Sequence, residues 1–402
     1  MNRSAPGHQD FAQKNLRVDN LRVLLDARKL EDGGIGKYIQ NLVYGLTRQS
    51  GLELSLLVRS GFSDSYGWGS KVDLIEDDAG CYSLDEMFLM PRRIDRAKFD
   101  LFHAPHYTLP YGLGMPSVVT IHDLIHLRYA ARWYHSIFAR FLISSALHRA
   151  TRVIAVSQAT CQDLIDMLSA DSRHVSRIRV VPNAVDPLFA ESRPARSAAR
   201  DYVATRFHLQ GPFFLSVLSN AKRHKGIEDL LEAFGLMRQA LAGREGSSPR
   251  LVLVGKGTEG LVELESVLDR TGEIPGVHLL GLVSREDLCQ LYAAAGALVV
   301  ASYAEGFCLP VLEAQVCGTP VIARPVPAVL ELLSRNDTVC RDFSTGALQD
   351  ALVTFSERAD HAGPGLLDTE IRAQLERFSA VNTAARVLDI YREAVHLKRG
   401  TA

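Results

Sequence analysis

Two glutamates, Glu305 and Glu313, stand eight positions apart around a glycine, an aromatic residue and a proline in the segment AEGFCLPVLEAQVCGTPVIA (304–323). Carboxylates accept hydrogen bonds from hydroxyl groups, such as those of a sugar or a ribose. A helix that starts between them would favour an anion at its N-terminus. The pattern therefore suits a ligand with hydroxyls at both ends and a phosphate between, as in a nucleotide sugar. The alternative is a surface loop with two solvated glutamates.

The residues around the glutamates predict how the chain would position them. The apolar run ALVVAS (297–302) predicts a buried strand, and Pro310 is typical of the first turn of a helix. We expect a helix that begins near Leu309 and stops at Gly318. Gly306 is expected to take the positive φ of the turn before it. Such a turn at the carboxyl end of a parallel strand is where open α/β sheets bind ligands.

A basic loop, SNAKRHKG (219–226), follows the first strand of the second half of the chain. It holds Lys222, Arg223 and Lys225, and a departing diphosphate needs such cations. A lysine 4 Å from a phosphate contributes about 4 kcal/mol at an effective dielectric constant of 20, before desolvation. A helix dipole contributes roughly 0.3–1 kcal/mol, and ~2 when it is partly buried. A solvated basic turn is the alternative interpretation.

A glycine cluster, DGGIGKY (32–38), follows the first strand of the chain. Gly33, Gly34 and Gly36 would let the backbone approach a phosphate closely. The spacing is neither that of the dinucleotide-binding motif nor that of a Walker A loop, which argues against a P-loop NTPase.

His122 and Asp123 end the apolar run SVVTIHD (117–123), and a histidine at that end of a parallel strand tends to face the ligand crevice. A structural histidine is the alternative. The chain has no Asp-x-Asp and no His-Glu-x-x-His. We therefore expect no metal at the diphosphate and no cofactor other than the substrate.

Short apolar runs alternate with helical patterns, which predicts two parallel sheets of βαβ units and an α/β fold. The helical stretch 226–241 places Ile227, Leu230, Leu231, Phe234, Met237 and Leu241 on one face. The predicted organisation is a disordered tail over 1–20, a Rossmann-like domain over 21–190, a linker over 191–212, a second Rossmann-like domain over 213–380, and a final helix over 381–402.

Composition excludes several classes of protein. Lys plus Arg (45) and Asp plus Glu (46) nearly cancel over 402 residues, so charge gives no argument for nucleic acid. The six cysteines show no Cys-x-x-Cys spacing, which argues against a zinc knuckle and suits a reduced, cytoplasmic setting. No uncharged apolar run is long enough to span a bilayer.

Several segments together resemble the retaining GT-B glycosyltransferases of family 4, over nearly the whole chain from residue 21 to about 395. EGFCLPVLEAQVCGTPVIA is similar to that family's E-x7-E signature and is the most specific match. GGIGKYIQNL, FHAPHYTLP, TIHDLIHLRYAARWY, VIAVSQATCQDL, IRVVPNAVDPLF and HKGIEDLLEAF add to the likeness. The combination resembles the mannosyltransferase-like branch, whose usual donor is GDP-mannose.

The resemblance implies a fold of two Rossmann-like domains around a cleft, with the last helix crossing back onto the first domain. The N-terminal domain would receive the acceptor and the C-terminal domain the donor. The implied catalytic residues are His122, Lys225 and Glu305. The implied donor-binding residues are Gly34, Gly36, Lys222, Arg223, Gly306, Phe307, Cys308, Leu309 and Glu313.

Each implied role has a specific partner on the donor. Glu313 would hold the ribose hydroxyls and Glu305 the transferred sugar, while Lys225 and either Lys222 or Arg223 would neutralise the diphosphate. His122 would contact the donor sugar. Backbone N–H groups from Gly306 to Leu309 would bind sugar and phosphate, and Gly36 would line the phosphates. Cys308 departs from the family, in which glycine is most common at that position.

The expected reaction is transfer of a sugar to a hydroxyl of a glycan or lipid-linked acceptor, with retained anomeric configuration. UDP-glucose, UDP-N-acetylglucosamine and a deoxyhexose nucleotide are alternative donors. A phosphorylase or epimerase on the same architecture is a rival function, since fold does not fix function. A non-catalytic sugar-nucleotide binding protein is another, against which the intact glutamates and lysine argue.

One basic and aromatic stretch, residues 128–152, lies in a segment without acidic residues from Leu124 to Gln162. Such a helix can lie on an anionic membrane surface, which would suit a peripheral enzyme with a lipid-linked acceptor. The alternative is a half-buried amphipathic helix beside the cleft. The residues of this stretch that carry the pattern are Arg128, Arg132, Trp133, Tyr134, Phe138, Arg140, Phe141, Arg149 and Arg152.

Overall fold

A computed structural model describes residues 20–129, 133–168, 172–218, 222–242, 249–255, 274–357 and 368–400. Most of the predicted tail, residues 1–19, lies outside the described residues, as do Asn220 and Arg132.

The chain forms two sheets in which every described strand pair is parallel. The first has seven strands in the order β3-β2-β1-β4-β5-β6-β7, and the second has six in the order β10-β9-β8-β11-β12-β13. The strand order reverses beside β1 in one sheet and beside β8 in the other, and such switch points form ligand crevices. The strands are Leu21–Asp26 (β1), Leu52–Val58 (β2), Asp73–Glu76 (β3), Leu101–Ala104 (β4), Ser117–Ile121 (β5), Arg152–Ala155 (β6), Ile178–Val180 (β7), Phe213–Leu218 (β8), Arg250–Gly255 (β9), Val277–Gly281 (β10), Ala297–Val300 (β11), Val321–Ala323 (β12) and Thr338–Val339 (β13).

Helices cover these sheets, and the prediction of two Rossmann-like parallel-sheet domains is confirmed. The described α-helices are Gly33–Leu46 (α1), Met90–Arg93 (α2), Ile125–Arg128 (α3), Trp133–Arg149 (α4), Gln158–Leu168 (α5), Ser172–Val175 (α6), Pro187–Glu191 (α7), Arg196–Phe207 (α8), Ile227–Ala240 (α9), Arg285–Ala294 (α10), Leu309–Val316 (α11), Pro327–Leu330 (α12), Thr345–Ser356 (α13), Asp368–Arg377 (α14) and Ala380–Gly400 (α15). One π-helical turn, Asp85–Leu89, precedes α2.

The predicted apolar face of α9 is buried as expected. Its members Ile227, Leu230, Leu231, Phe234 and Met237 are all buried in the core of the second domain. Side chains three and four positions apart lie on the same face of a helix, which is why the sequence pattern alone located this surface.

Two strands were not predicted from the sequence because neither contains an apolar run. Strand β3, DLIE, has two apolar residues between two acidic ones at the edge of its sheet, and β13 has only two residues. The stretch 191–212, predicted as a linker, contains helix α8. Ala199 and Val203 of this helix are buried in the core of the second domain, so the segment belongs structurally to that domain.

The last helix, α15, packs on the first domain. Its residues Ala384, Val387, Leu388 and Tyr391 share a core cluster with strands β1 and β2 and helix α1. A Cβ added to Gly45 of α1 would lie 2.1 Å from the carbonyl oxygen of Ala380, so the glycine permits the two helices to touch. The chain therefore returns from the second domain to the first.

Candidate active site

The loop and helix that carry the two glutamates follow the predicted course. Helix α11 begins at Leu309, Cys317 caps it, and Gly318 then takes a φ of 81°. The predicted positive φ at Gly306 is wrong, since the left-handed residue of this loop is Cys308, with φ 76°. Glycine takes that conformation without steric cost, which explains physically why a cysteine is unusual at this position.

Gly306 is needed for a different reason, a close approach between the domains. A Cβ added to it would lie 1.9 Å from the carbonyl oxygen of His122 in the first domain. The Gly306 carbonyl also accepts hydrogen bonds from Ser157 Oγ at 2.7 Å and Thr160 Oγ1 at 3.2 Å. Both hydroxyls lie at the start of α5 in the first domain. The glutamate loop therefore closes directly onto the first domain.

Lys225 and Glu305 form an ion pair within this crevice, with 2.8 Å between Lys225 Nζ and Glu305 Oε1. Ser302 Oγ donates a second hydrogen bond to the same carboxylate oxygen at 2.6 Å. Burial opposes the lysine charge, but Glu305 outweighs it and raises the pKa of Lys225. The ammonium group is thus charged and held in position, whereas Lys222 and Arg223 are exposed.

A buried arginine supports the loop that presents Lys225. Arg324, which is fully buried, donates to the Asp229 carboxylate at 2.7 Å and to the Ala301 carbonyl at 2.9 Å. Gly226 follows Lys225 with φ 64°, and an added Cβ would lie 2.2 Å from the Ala301 carbonyl oxygen. The lysine turn is therefore pressed against the end of β11, next to the glutamate loop.

Glu313 is a buried carboxyl on α11. Tyr292 donates its hydroxyl to Glu313 Oε2 at 2.8 Å. Burial raises the pKa of Glu313 to about 7, although that hydrogen bond and the charges of Lys37 and Arg285 favour the carboxylate. Ligand hydroxyls that donate to this group would stabilise its ionised form further.

The surroundings of Glu313 include charged residues that sequence analysis missed. Asp186 accepts from Lys37 Nζ at 3.5 Å and also pairs with Arg285. Lys37 belongs to the first domain and Arg285 to the second, so Asp186 links the two near Glu313. Asp186 lies in IRVVPNAVDPLF, a segment that carried the resemblance, but no role could be assigned to it from the sequence.

His122 lies half-buried at the end of β5. Burial lowers its pKa to about 4, so the ring is neutral at pH 7. Its Nε2 donates to the Pro105 carbonyl at 3.0 Å, and the edge of Tyr38 meets the ring with 4.9 Å between centroids. Because Nε2 carries the proton, Nδ1 is left as an acceptor. A neutral ring can contact a sugar without repelling a developing positive charge.

The remaining predicted donor-binding residues have contrasting environments. Gly34 is exposed at the start of α1 with nothing within 4 Å of an added Cβ. Gly36 is buried, and an added Cβ would lie 2.1 Å from the Leu30 carbonyl oxygen, so its close contact is with the protein. The Phe307 ring packs on Phe378 in the core, with 6.1 Å between centroids. The donor contacts assigned to these residues stay predictions.

One group of side chains has the composition of a metal site. Asp26, Glu86 and His106 place potential ligand atoms within 4.8 Å of one another. Arg28 occupies the position of a cation there, 2.6 Å from Asp26 Oδ2 and 2.7 Å from Glu86 Oε1. The guanidinium neutralises both carboxylates, so this group does not fit a metal ion. Metal independence of the reaction stays a prediction.

Comparison with known proteins identifies the two halves of the chain. Residues 32–188 match the family model described as Glycosyltransferase Family 4, and residues 204–360 match the one described as Glycosyl transferases group 1. A D-inositol 3-phosphate glycosyltransferase of Saccharomonospora viridis is 30% identical over 334 residues, which cover 76% of this chain and 72% of that protein. Its namesake from Salinispora tropica is 31% identical, and the match spans 64% of its length.

Other relatives extend the likeness in sequence and in fold. The O-antigen chain mannosyltransferase B of Escherichia coli is 26% identical over 76% of this chain and 78% of that protein. The solved structure of Anabaena HepE, in complex with UDP and glucose, has a TM-score of 0.71 over 93% of this chain and 100% of that one, at 17% identity. With both halves matched and the two-domain fold shared, the chain belongs to the group 1 glycosyltransferases of family 4.

Proposed function

We propose that this protein transfers mannose from GDP-mannose to a hydroxyl of a glycan or lipid-linked acceptor, with retained anomeric configuration, in the synthesis of a cytoplasmically assembled polysaccharide or glycoconjugate. The observation that carries this proposal is the Lys225–Glu305 pair, at 2.8 Å, in a loop that contacts the first domain through Gly306. The Lys225 ammonium group and the Glu305 carboxylate, which can accept hydrogen bonds from hydroxyls, thus face one crevice. A sugar and its diphosphate would lie side by side there.

The proposed reaction balances without a protein nucleophile. The bond between the anomeric carbon and the β-phosphate oxygen breaks, and the acceptor oxygen bonds to the anomeric carbon on the same face. The acceptor proton passes to the leaving phosphate oxygen, so the products are GDP and the glycoside. Lys225 would stabilise the departing charge, which is the main electrostatic contribution. Glu305 would accept hydrogen bonds from the sugar and keep the lysine in place.

The choice of mannose is supported by the likeness to the Escherichia coli mannosyltransferase, which aligns over most of both chains. The HepE complex supports a different donor, because that structure contains UDP and glucose. Glu313 does not distinguish the two donors, since both carry a ribose with the same two hydroxyls. A direct comparison of donors is therefore the deciding experiment.

GDP-mannose at a hundredfold excess over its Kd is expected to raise the melting temperature by roughly 3 °C. UDP-glucose should shift it less. Glu313→Gln should abolish most of the shift, because the amide replaces one acceptor oxygen of the carboxylate with an N–H donor and removes the charge. With a pKa of about 7, Glu313 loses its charge as the pH falls, so the shift should be larger at pH 8 than at pH 6. NMR of the product should show the donor's α configuration.

The result that would refute GDP-mannose as donor is a larger shift, and turnover, with UDP-glucose.

For the unliganded protein, the pH dependence of the stability has the opposite sign to that of donor binding. Because folding raises its pKa, Glu313 binds its proton more tightly in the folded state than in the unfolded state. The stability that this contributes is complete below the unfolded pKa of 4.5 and is lost as the pH rises to about 7. Glu313→Gln should flatten this dependence, which separates the effect on folding from the effect on donor binding.

We also propose that helix α4 lies on an anionic membrane. Four of its large apolar side chains form an apolar stripe with helical spacing and are 43%, 60%, 49% and 57% exposed: Tyr134, Ile137, Phe138 and Phe141. The opposite face of α4, with Leu142, Ile143 and Leu147, is buried in the core of the first domain, so the helix is half-buried and presents this stripe outward. The nearby segment adds exposed Leu84, Phe88 and Leu89, and Phe88 stacks on Tyr111, which hydrogen-bonds to Ser145 of α4.

The arginines of residues 128–152 contribute less positive charge to the exposed surface than the sequence implies. Arg128 pairs with Asp163 at 2.7 Å, and Arg152 pairs with Glu393 at 2.8 Å. Arg149 turns inward and donates to the Pro110 carbonyl at 2.9 Å. Arg140 is exposed beside the apolar stripe. No described helix is long and apolar enough to cross a membrane.

Vesicles of phosphatidylglycerol are therefore expected to co-sediment the protein, and Phe138→Asp with Phe141→Asp should reduce binding at least tenfold. Each buried phenylalanine contributes about 1.5–3 kcal/mol, which is at least a factor of ten. Leu236→Asp, on the exposed side of α9 in the other domain, is the matched control and should bind like wild type. Equal co-sedimentation of the wild type and the double variant would remove the membrane proposal.

A further inference from the structure

Tyr82 has an unusual backbone, which the proposed donor chemistry leaves unexplained. It is a non-glycine residue with φ 64°, in the left-handed region that disfavours side chains with a Cβ. Strain of this kind persists where the surroundings hold the residue in place, and it is frequent at ligand sites. A glycine would relieve the strain, so the tyrosine ring must contribute something that glycine cannot.

A buried ionic network holds this residue. Glu86 Oε2 accepts a hydrogen bond from the Tyr82 backbone N–H at 2.6 Å, and Glu86 Oε1 accepts one from Arg28 at 2.7 Å. Arg28 also binds the Ala79 carbonyl at 2.8 Å, just before the turn. Glu86 and Arg28 are both buried. Lys29 Nζ lies 4.6 Å from the centroid of the Tyr82 ring and fixes it from one side.

The held ring belongs to an aromatic wall formed by Tyr82, Tyr107 and His126. Tyr82 and Tyr107 are stacked at 5.3 Å with 28° between their planes, and Tyr107 meets His126 at 6.2 Å. Both tyrosines are half-buried, so part of each ring is accessible to a ligand. His106 lies 6.0 Å from the Tyr82 ring and is 2% exposed, and its Nε2 lies 3.5 Å from Asp26 Oδ2 within the buried network.

This wall lies beside the proposed transfer site on the side of the first domain. Pro105, whose carbonyl holds the His122 ring, is two residues before Tyr107. Asp123 adjoins His122, and its Cβ would lie 2.8 Å from a Cβ added to Gly306 of the glutamate loop. Tyr107 contacts His126, three residues after Asp123, so the aromatic wall and the glutamate loop both adjoin the segment 122–126. An acceptor on the wall would approach the anomeric carbon from the first domain.

We propose that Tyr82 and Tyr107 form a stacking platform for a pyranose ring of the acceptor. The C–H face of a pyranose is apolar and positively polarised, and it suits the negative face of an aromatic ring. The ring hydroxyls then point away from the aromatic faces. The proposal deepens the proposed function and rests on it. It assigns a sugar, rather than a phosphate or an alkyl alcohol, as the acceptor group at this position.

The platform is also close to the exposed apolar side chains described above. Leu84 is two residues after Tyr82 and is 75% exposed, and Phe88 follows on the next turn. A sugar stacked on Tyr82 could thus carry an apolar tail along Leu84 and Phe88 without crossing the crevice. This arrangement suits the first sugar of a lipid-linked chain.

The test uses three probes, the methyl α-glycosides of mannose, glucose and N-acetylglucosamine, with GDP present. Saturation-transfer NMR of the wild type should show binding of at least one, strongest at the C–H protons of the ring. Tyr82→Gly should weaken that binding at least tenfold, and Tyr82→Phe should keep it. Glycine relieves the positive φ but loses the packing of the ring, so a cooperative melting transition close to that of the wild type shows that Tyr82→Gly is folded. Tyr202→Ala, on α8 of the second domain, should bind normally.

Unchanged glycoside binding by Tyr82→Gly would overturn the proposal, as would a wild type that binds none of the three probes. The donor is tested separately: GDP-mannose should raise the melting temperature of the wild type, and absence of that rise would count against the proposed donor. Loss of glycoside binding in Tyr82→Gly beside a normal rise with GDP-mannose in the wild type counts for the platform alone.

Discussion

Replacement of Lys225 by alanine is expected to lower kcat/KM for the sugar nucleotide about a thousandfold. The lysine is the cation that the fold holds in the crevice, through Glu305 at 2.8 Å. Its interaction with a departing phosphate is about 4 kcal/mol at an effective dielectric constant of 20. That energy corresponds to about three orders of magnitude in rate. Because the charge develops as the diphosphate leaves, most of the loss should appear in kcat.

The neighbouring cations provide matched controls for this prediction. Lys222 and Arg223 are exposed, and solvent screens charges in such positions. Lys222→Ala and Arg223→Ala should therefore each cost less than tenfold, and the larger of the two effects identifies the second phosphate cation. Lys225→Arg keeps the positive charge but replaces a compact ammonium group with a planar guanidinium. It should therefore recover part of the rate that Lys225→Ala loses. Activity of Lys225→Ala within threefold of wild type would refute the proposed role.

The sequence predicted the parts of the fold that depend on local pattern. Apolar runs located the buried strands, and helical spacing located the buried face of α9. The helix from Leu309 to Val316 was predicted because Pro310 and Gly318 restrict the backbone whatever the surroundings are.

The sequence could not predict contacts between residues distant in the chain. Gly306 was interpreted as a turn residue, because a glycine in a loop most often provides a positive φ. Its actual constraint is the carbonyl of His122, which lies 184 positions earlier in the chain and reaches it only through the docking of the two domains. The partners of Lys225 and Glu313 lie within the second domain, but 80 and 21 positions away in the chain, so they depend on how that domain folds. No local pattern contains that information.

The exposed positive charge of residues 128–152 was overestimated because contacts between distant parts of the chain cannot be predicted from a local pattern. The sequence shows which arginines lie in 128–152, but not that Arg149 turns inward to backbone carbonyls and that Arg152 pairs with Glu393 of the last helix. The exposed positions of the aromatic residues on α4 also required the fold. A sequence pattern of basic and aromatic residues thus predicts a candidate surface, and burial decides which of its members face solvent.

Gly306→Ala is expected to lower kcat/KM at least a hundredfold, although it adds only one methyl group. The new Cβ would lie 1.9 Å from the His122 carbonyl oxygen and 2.8 Å from Asp123 Cβ. Backbone atoms cannot rotate away as a flexible side chain can, so the glutamate loop and the first domain must separate. A displacement of about 1 Å between reacting groups can cost a hundredfold in rate. Glu305 moves with this loop and carries Lys225 with it.

The same substitution at a position without such a neighbour isolates this effect. Gly346 lies in α13 of the same domain, and nothing is within 4 Å of a Cβ added there. Gly346→Ala should leave activity unchanged and raise the free energy of unfolding slightly, by about 0.4–1 kcal/mol, because alanine favours the helix. Gly306→Ala should instead lower it by about 1–3 kcal/mol through overpacking. If Gly306→Ala kept wild-type kcat/KM, the contact between the glutamate loop and His122 would not be the arrangement in which sugar is transferred.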